Sequence, residues 1–463
     1  MSDVLVRGAE LAGRPIDVRV VGGRIAELGV DLPVAGGEEV LDADSGALLP
    51  GLHDAHLHLL ALAAVDRSVL CGPPDVRDRA GLATALATAF PDAAGWVRGI
   101  GYVETVAGEL DRGLLDELHR DRPVRVQHRS GALWVVNTAG AITLGLDRAD
   151  HPGIERSADG TPTGRLWRAD DWLRSRLPAP APAPLAPLGR RLAQLGITSV
   201  CDATPDLDDA AVRVLGTAAT SGALPQRLEL LGAPLGADLP PGLRPGPYKI
   251  VIADSALPTL DELVERVRGA HDAGRAVALH CVTREALVLL LAALETTGAR
   301  PGDRVEHAGL VPAELIPELA RHGLRVVTQP GFLAHRGDDY LRDVPADEHG
   351  DLYRCRSLVD GGVRLALSSD APYGPLDPWA VLAAAAERRT PSGAIAGAAE
   401  RLPADRGLDA YLSAPGDPGG PPRRVQAGEV ADLVLLDRPM AAQLAAPTAH
   451  AVRAVLIGGQ VVH

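Results

Sequence analysis

The chain holds 46 basic residues besides histidine, and only Lys249 is a lysine, which leaves 46 − 1 = 45 arginines. A sequence that uses arginine wherever a positive charge serves has kept one amine, and an amine can do what a guanidinium cannot. With a reference pKa of ~10.4 it can lose its proton, react with carbon dioxide and become an anionic carbamate, whereas arginine stays charged above ~12. Lys249 opens an apolar run, Ile250-Val251-Ile252-Ala253, that reads as a buried strand. The alternative is a leftover surface lysine. His56-Leu57-His58 is a second candidate, because residues i and i+2 of a strand share a face and two imidazoles there can grip one cation. Alone, two core or surface histidines look the same. His280, His307 and Asp370 add weight, since each closes an apolar run. Lys249 to His280 spans 31 positions and His280 to His307 spans 27, each about one strand–helix unit. Four imidazoles, a carboxylate and a carbamate suit one or two divalent ions of borderline softness such as zinc. A carbamylated Lys249 would supply the anion that two cations ~3.5–4 Å apart need between them.

These residues need a scaffold, and the pattern provides one. Apolar positions at Leu260, Leu263, Val264, Val267 and Ala270 follow helical spacing, with Gly274 as the stop. Further helices are expected over about 285–296 and 312–321, each followed by a short apolar strand. Strands are expected at 47–56, 197–203, 227–231, 248–253, 276–280, 304–307, 325–328 and 363–368. Eight strands alternating with helices predict an α/β fold, a (β/α)8 TIM barrel over residues 47–419. His280, His307 and Asp370 then fall at the C-terminal mouth, while Lys249 starts lower and must reach upward. The count requires residues 61–190 to be an insertion between the first two strands, with strands of its own at 96–102 and 123–128 and a Pro/Ala connector at 177–187. The chain ends alternate in short strands, so residues 1–46 and 420–463 are expected to pair as a small β-sandwich domain.

Composition bounds the partners. A net charge of −14 argues against nucleic acid and anionic membranes. No run of 18 uncharged apolar residues is present, and the first residues lack a basic, apolar leader pattern. Cys71, Cys201, Cys281 and Cys355 form no CxxC pair and read as reduced thiols, so a cytoplasmic protein is expected. A homodimer is the default expectation for such an enzyme.

As an ordered set, several stretches resemble the amidohydrolase superfamily, in particular the amidohydrolase-3 branch with its N-substituted formamide deformylases. They are Pro50-Gly51-Leu52-His53-Asp54-Ala55-His56-Leu57-His58, Gly196-Ile197-Thr198-Ser199-Val200, Arg304-Val305-Glu306-His307-Ala308, Val327-Thr328-Gln329-Pro330, Ser368-Ser369-Asp370-Ala371-Pro372, and Gly428 with Ala431-Asp432-Leu433. The resemblance implies a metal-dependent hydrolase with His56 and His58 on one ion, His280 and His307 on the other, Lys249 bridging, and Asp370 as both ligand and proton carrier. The sequence departs from the branch where substrate is expected. Gly131-Ala132 precedes Leu133-Trp134-Val135-Val136-Asn137 where the branch has Gly-His, with His128 standing nearby, and Asp254-Ser255 replaces Asp-Gly. His128, Trp134, Asn137 and Asp254 are therefore candidate substrate contacts, with the insertion folding over the barrel mouth. Asn137, the chain's one asparagine, has an Asx cap as its alternative role. His335-Arg336, in an expected polar loop after the seventh strand, is a candidate for an anionic substrate group, and Arg354 and Arg356 read as structural ion-pair partners.

The reading that follows is a hydrolase acting on the C–N bond of a small amide, formamide or cyclic amide through a metal-bound hydroxide, with Asp370 moving the proton. Ester, lactone or deamination chemistry at the same site is the alternative among enzymes. A non-catalytic barrel acting as a binding module is the alternative of another class.

Overall fold

A computed structural model describes residues 3–73, 75–177, 183–252 and 257–463. The chain divides into two compact units, one of residues 1–59 with 185–463 and one of residues 60–184.

The first unit is α/β. Four parallel strands lie in the order Leu243–Pro245, Arg227–Leu230, Ile197–Asp202, Leu52–Leu57, and five more in the order Tyr248–Val251, Val277–Cys281, Arg304–His307, Arg325–Thr328, Arg364–Leu367. Backbone bonds link the two sheets on both flanks. Lys249 N donates to Leu231 O at 3.1 Å, and on the other side Asp370 N donates to His56 O at 2.8 Å and His58 N to Ala371 O at 2.9 Å. The strands are mostly buried because helices cover them, as parallel sheets require. Helix Leu260–Asp272 starts at a capping box, Thr259 with Glu262, and helix Arg284–Thr297 at the Thr283 cap.

Seven of the eight expected strands recur within a few residues, and two details differ. The run 47–56 is not one strand but two. Leu48–Pro50 pairs with Leu433–Leu436 in a sheet of the chain ends, and Leu52–Leu57 joins the parallel sheet. The break falls at Gly51, where a Cβ would lie 2.1 Å from Thr198 Oγ1, so only glycine lets the chain cross that closely. The short strand Leu243–Pro245 was not anticipated; its Pro245 and a length of 3 residues hide it from any periodicity.

The chain ends form two four-stranded sheets. Val4–Leu11, Arg14–Val21, Arg24–Gly29 and Glu39–Asp42 make one, and Leu48–Pro50, Leu433–Leu436, Val452–Ile457 and Gln460–Val461 the other. Val6, Val18, Ile25, Leu433, Leu435 and Leu456 from both sheets share one apolar cluster. The second unit carries a six-stranded sheet that includes Val97–Tyr102, Val124–His128 and Leu133–Val136. Among the described residues no helix is long and apolar enough to cross a membrane.

Glu229, buried on strand Arg227–Leu230, carries a pH signature. Burial pushes its carboxyl up to about 7, with Arg304 and Arg244 pulling the other way. The folded chain therefore keeps a proton that the unfolded chain releases near 4.5, so this group favours folding at low pH and turns against it as pH climbs from about 4.5 to about 7. Glu229→Gln should raise the melting temperature at pH 8 and leave it unchanged below pH ~4.5. Thermal unfolding at both pH values checks this, and an equal shift at both would contradict it.

Candidate metal centre

Strand Leu52–Leu57 carries His56 next to its end, and His58 directly follows the strand, as the i, i+2 spacing anticipates. Their rings stand 5.5 Å apart, and the Nε2 atoms both face Asp370 Oδ1, at 3.4 Å from His56 and 3.2 Å from His58. The row of imidazoles continues, with His56 to His307 at 4.7 Å and His307 to His280 at 4.4 Å between ring centroids. Asp370 Oδ2 lies 3.8 Å from His307 Nδ1. One donor atom each from His56, His307 and Asp370 fall within 4.8 Å of one another, close enough to share a cation.

Three of the four imidazoles have Nδ1 engaged by a neighbouring oxygen. His56 Nδ1 meets Glu306 Oε2, His58 Nδ1 lies 3.1 Å from Thr204 Oγ1, and His307 Nδ1 lies 3.0 Å from Gln329 Oε1. Gln329 is itself oriented by donating from Nε2 to Ser368 Oγ at 2.9 Å. An Nδ1–H donated to an oxygen leaves Nε2 as a lone-pair donor, which is the tautomer a metal needs. Burial, followed by the charge of Lys249, holds His56 well below its ordinary value, and burial with the neighbouring imidazoles does the same for His307. Both rings are therefore neutral, as ligands must be.

Lys249 lies on strand Tyr248–Val251, paired with Ala278 and so two positions below His280 in the register. It reaches upward as the sequence requires: its charge acts on His56 and His307, and those of Glu306 and Asp370 act on it. Burial lowers its pKa, against the pull of the two carboxylates. Lys249 Nζ, His56 Nε2 and Asp370 Oδ1 are all buried with no hydrogen-bond partner among the described residues. Three orphaned polar atoms in one place are costly without an occupant. A divalent cation satisfies the imidazole and the carboxylate, and a carbamate removes the buried positive charge. The residues fit a metal.

The backbone at the site is unusual. His307, Ala308 and Asp370 have φ of 70°, 49° and 52°, a region that residues with a Cβ seldom occupy. Such conformations persist where the surroundings hold them and gather at functional sites. Thr328 Oγ1 donates to His307 O at 2.8 Å, and Asp370 N is held by His56 O.

Sequence reasoning missed the support of these ligands. Glu306 is fully buried between His56 and Arg304, whose Nε lies 2.5 Å from Glu306 Oε1. Arg304 also donates to Ala55 O at 3.2 Å and Cys201 Sγ at 3.5 Å, so one guanidinium joins three strands. Burial is the largest single influence and opposes its charge, but Glu306, Cys201 and Glu229 together raise its pKa. The available signal was an Arg and a Glu two apart on a short strand, a same-face pair that burial must reconcile.

Three of the four substrate-contact candidates, His128, Trp134 and Asn137, lie in the second unit, and their polar groups are committed locally. Asn137 is buried. It caps helix Thr138–Leu144 by accepting from Gly140 N, accepts again from Val124 N at 3.0 Å, and donates to His119 O and Arg122 O. The cap is one of four hydrogen bonds that together engage its amide. Trp134 Nε1 donates to Asp170 Oδ1 at 2.8 Å while Arg98 and Arg125 stack on its ring. His128 Nε2 lies 3.2 Å from Glu104 Oε2. Asp254 lies outside the described residues. His335 and Arg336 stand on helix Gly331–Asp343 and not in a loop, while Arg354 pairs with Asp351 and Glu400, and Arg356 with Asp360. A second acidic group, Glu295, Glu318 and His322, is partly exposed, and Arg321 already pairs with both of its carboxylates.

Comparison with known proteins agrees with this geometry. The chain belongs to the amidohydrolase family, whose model matches residues 39–463, and it is a hydrolase of that class. It is 27% identical to an N-substituted formamide deformylase of Arthrobacter pascens, over 95% of this chain and 94% of that one. A putative amidohydrolase of Bacillus subtilis, YtcJ, is 25% identical over 76% of this chain and 75% of its own. In fold the chain is similar to an uncharacterized metal-dependent hydrolase of Pyrococcus horikoshii, with a TM-score of 0.74 at 20% identity, over 94% of this chain and 98% of that one.

Glu306 gives the test of this arrangement. Glu306→Gln should weaken metal affinity by about 10–100-fold, because His56 loses its orienting carboxylate. It should also lower the melting temperature, since Arg304 is left buried without its counter-charge. Metal titration and thermal unfolding of the variant measure the two effects, and parental values for both would contradict the role.

Proposed function

We propose that the chain is a metal-dependent hydrolase that cleaves the C–N bond of a small amide, formamide or cyclic amide. The observation that carries this is the convergence of His56 Nε2, Lys249 Nζ and Asp370 Oδ1, buried and unpartnered among the described residues, beside two further imidazoles. In this reading the nine parallel strands supply a (β/α)8 barrel with Leu243–Pro245 as an extra edge, supported by the backbone bonds on both flanks, and the two end sheets form a β-sandwich around their shared cluster. The similarity to a protein named as an N-substituted formamide deformylase favours a formamide or a related amide.

His56 and His58 would hold one divalent ion, zinc by donor type, and His280 and His307 would hold a second. Lys249, carboxylated at Nζ, would supply the anion that such a pair of ions needs. Ions so held acidify water and polarise a carbonyl oxygen. The protein's own part is proton transfer and positioning. Asp370 Oδ1, facing both His56 and His58, takes the proton of the attacking water. It then delivers that proton to the leaving nitrogen, so one carboxylate serves as base and then as acid. Glu306, Thr204 and Gln329 keep the three imidazoles in the required tautomer throughout.

Two experiments test this. A chelator should abolish turnover of amide substrates and added Zn²⁺ should restore it; activity that survives complete metal removal refutes the reading. Lys249→Arg should lose the bridged pair of ions and turnover together, because arginine cannot form a carbamate. Lys249→Ala should be inactive yet partly rescued by a short carboxylic acid. Unchanged metal content and activity in Lys249→Arg would show that the lysine is not a bridge.

A further inference from the structure

Aromatic side chains are scarce in this protein, with 6 tyrosines and 2 phenylalanines in the whole chain. Three of those tyrosines and one phenylalanine gather beside the metal-site residues. Tyr373 stands 5.4 Å from the His58 ring, and its backbone N donates to Asp370 O at 2.8 Å. It packs against a cluster that holds Phe332 and Tyr353, with Tyr340 on its edge. On this wall sits Arg336, at a break in helix Gly331–Asp343 (φ −147°, ψ 25°). Its guanidinium lies 4.2 Å from the Phe332 ring centre, and its Nε donates to Tyr340 Oη at 2.9 Å. Tyr340 Oη in turn lies 3.0 Å from Tyr353 Oη.

Two features separate this arginine from a structural plug. Its Nη1 and Nη2 have no hydrogen-bond or ion-pair partner among the described residues, although the chain has more acids than bases and Asp338 and Asp339 are close by in sequence. Asp339 instead pairs with Arg342, and Asp338 accepts from Ser392. The side chain is half-buried, and its terminal nitrogens remain open to solvent. The second feature is the effort spent on its support. Tyr353 sits at φ 41°, a left-handed conformation unusual for a bulky residue. It is clamped there by the buried Arg388, which donates to Tyr353 O at 2.9 Å and Leu352 O at 2.6 Å. Asp370's charge also acts on both Arg336 and Tyr353, so the wall and the metal-site carboxylate share one electrostatic environment.

The geometry points to Arg336 as a carboxylate-binding fork that selects amide substrates bearing an anionic carboxylate beside the scissile bond. A guanidinium fixed through Nε and stacked on a ring presents its two Nη groups in the plane that a carboxylate matches bidentately. The apolar wall lowers the local dielectric and strengthens the pairing. This rests on the hydrolase reading for the fate of the substrate's other end, but the fork is testable by binding alone.

The test is titration calorimetry on metal-loaded protein with two matched pairs of probes. N-formylphenylalanine and N-formylphenethylamine differ by a carboxylate on the amine half. N-benzylsuccinamic acid and N-benzylbutyramide differ by one on the acyl half. In the parent, the acid of one pair should bind about tenfold tighter than its neutral partner, the effect expected of a charge-assisted hydrogen bond, and that pair locates the carboxylate. Arg336→Met should bring the ratio to about one while the neutral amide binds as before. Tyr340→Phe, which frees Nε and leaves the wall, should give an intermediate ratio, and it decides the matter if Arg336→Met does not fold. A parental ratio near one for both pairs, or a ratio untouched in the variants, overturns the proposal. An intact Arg336-dependent ratio in protein that turns over no amide supports the fork and refutes the hydrolase reading instead.

Discussion

The interior of the parallel sheets depends on one buried charge relay, Arg304 to Glu306 to His56. Arg304 and Glu306 are both fully buried, and neither would be tolerated there alone. Paired, they do two jobs. Arg304 reaches Ala55 O and Cys201 Sγ and so ties three strands together from inside. Glu306 passes that fixed position on to His56, setting which imidazole nitrogen faces Asp370. The stability of the interior and the orientation of a ligand thus rest on the same carboxylate.

Around that relay, the site is held by backbone as much as by side chains. His307 closes its strand and Asp370 follows three residues after strand Arg364–Leu367, both in left-handed conformations, at φ 70° and 52°. Each turn swings a side chain inward from the strand end, and each is held by a hydrogen bond from a neighbouring element: Thr328 on His307 O, His56 O on Asp370 N. A relaxed strand end would continue along the strand and lose the convergence. Tyr353, clamped by Arg388, repeats the device in the adjoining aromatic wall.

Much of this was legible in the sequence, for identifiable reasons. Strands such as Val277–Cys281 and Arg364–Leu367 read clearly because buried parallel strands are short, mostly apolar and separated by helices of regular period. His56, His58, Lys249, His280, His307 and Asp370 stood out because each is a reactive type at the edge of an apolar run, and Lys249 because the chain has no other lysine. Gly51 was harder. An apolar run does not reveal that its two halves belong to different sheets, and the reason lies in the close approach of Thr198, almost 150 positions away. Glu306, Gln329 and Thr204 escaped because their roles are defined by a partner far along the chain. Asn137 was drawn toward the site by its rarity, yet four local hydrogen bonds consume it. Arg336 went to an expected loop because His-Arg-Gly-Asp-Asp looks polar, whereas the helix carries its apolar face on Phe332 and Leu333.

The account's central claim is that the six residues singled out by type and spacing meet at one cation site. Anomalous diffraction at the zinc edge, from crystals of zinc-loaded protein, tests this most directly. The account predicts one or two strong peaks enclosed by His56, His58, His280, His307 and Asp370, with density continuing beyond Lys249 Nζ. Peaks confined to the surface group of Glu295, Glu318 and His322, with none between the imidazoles, would contradict it.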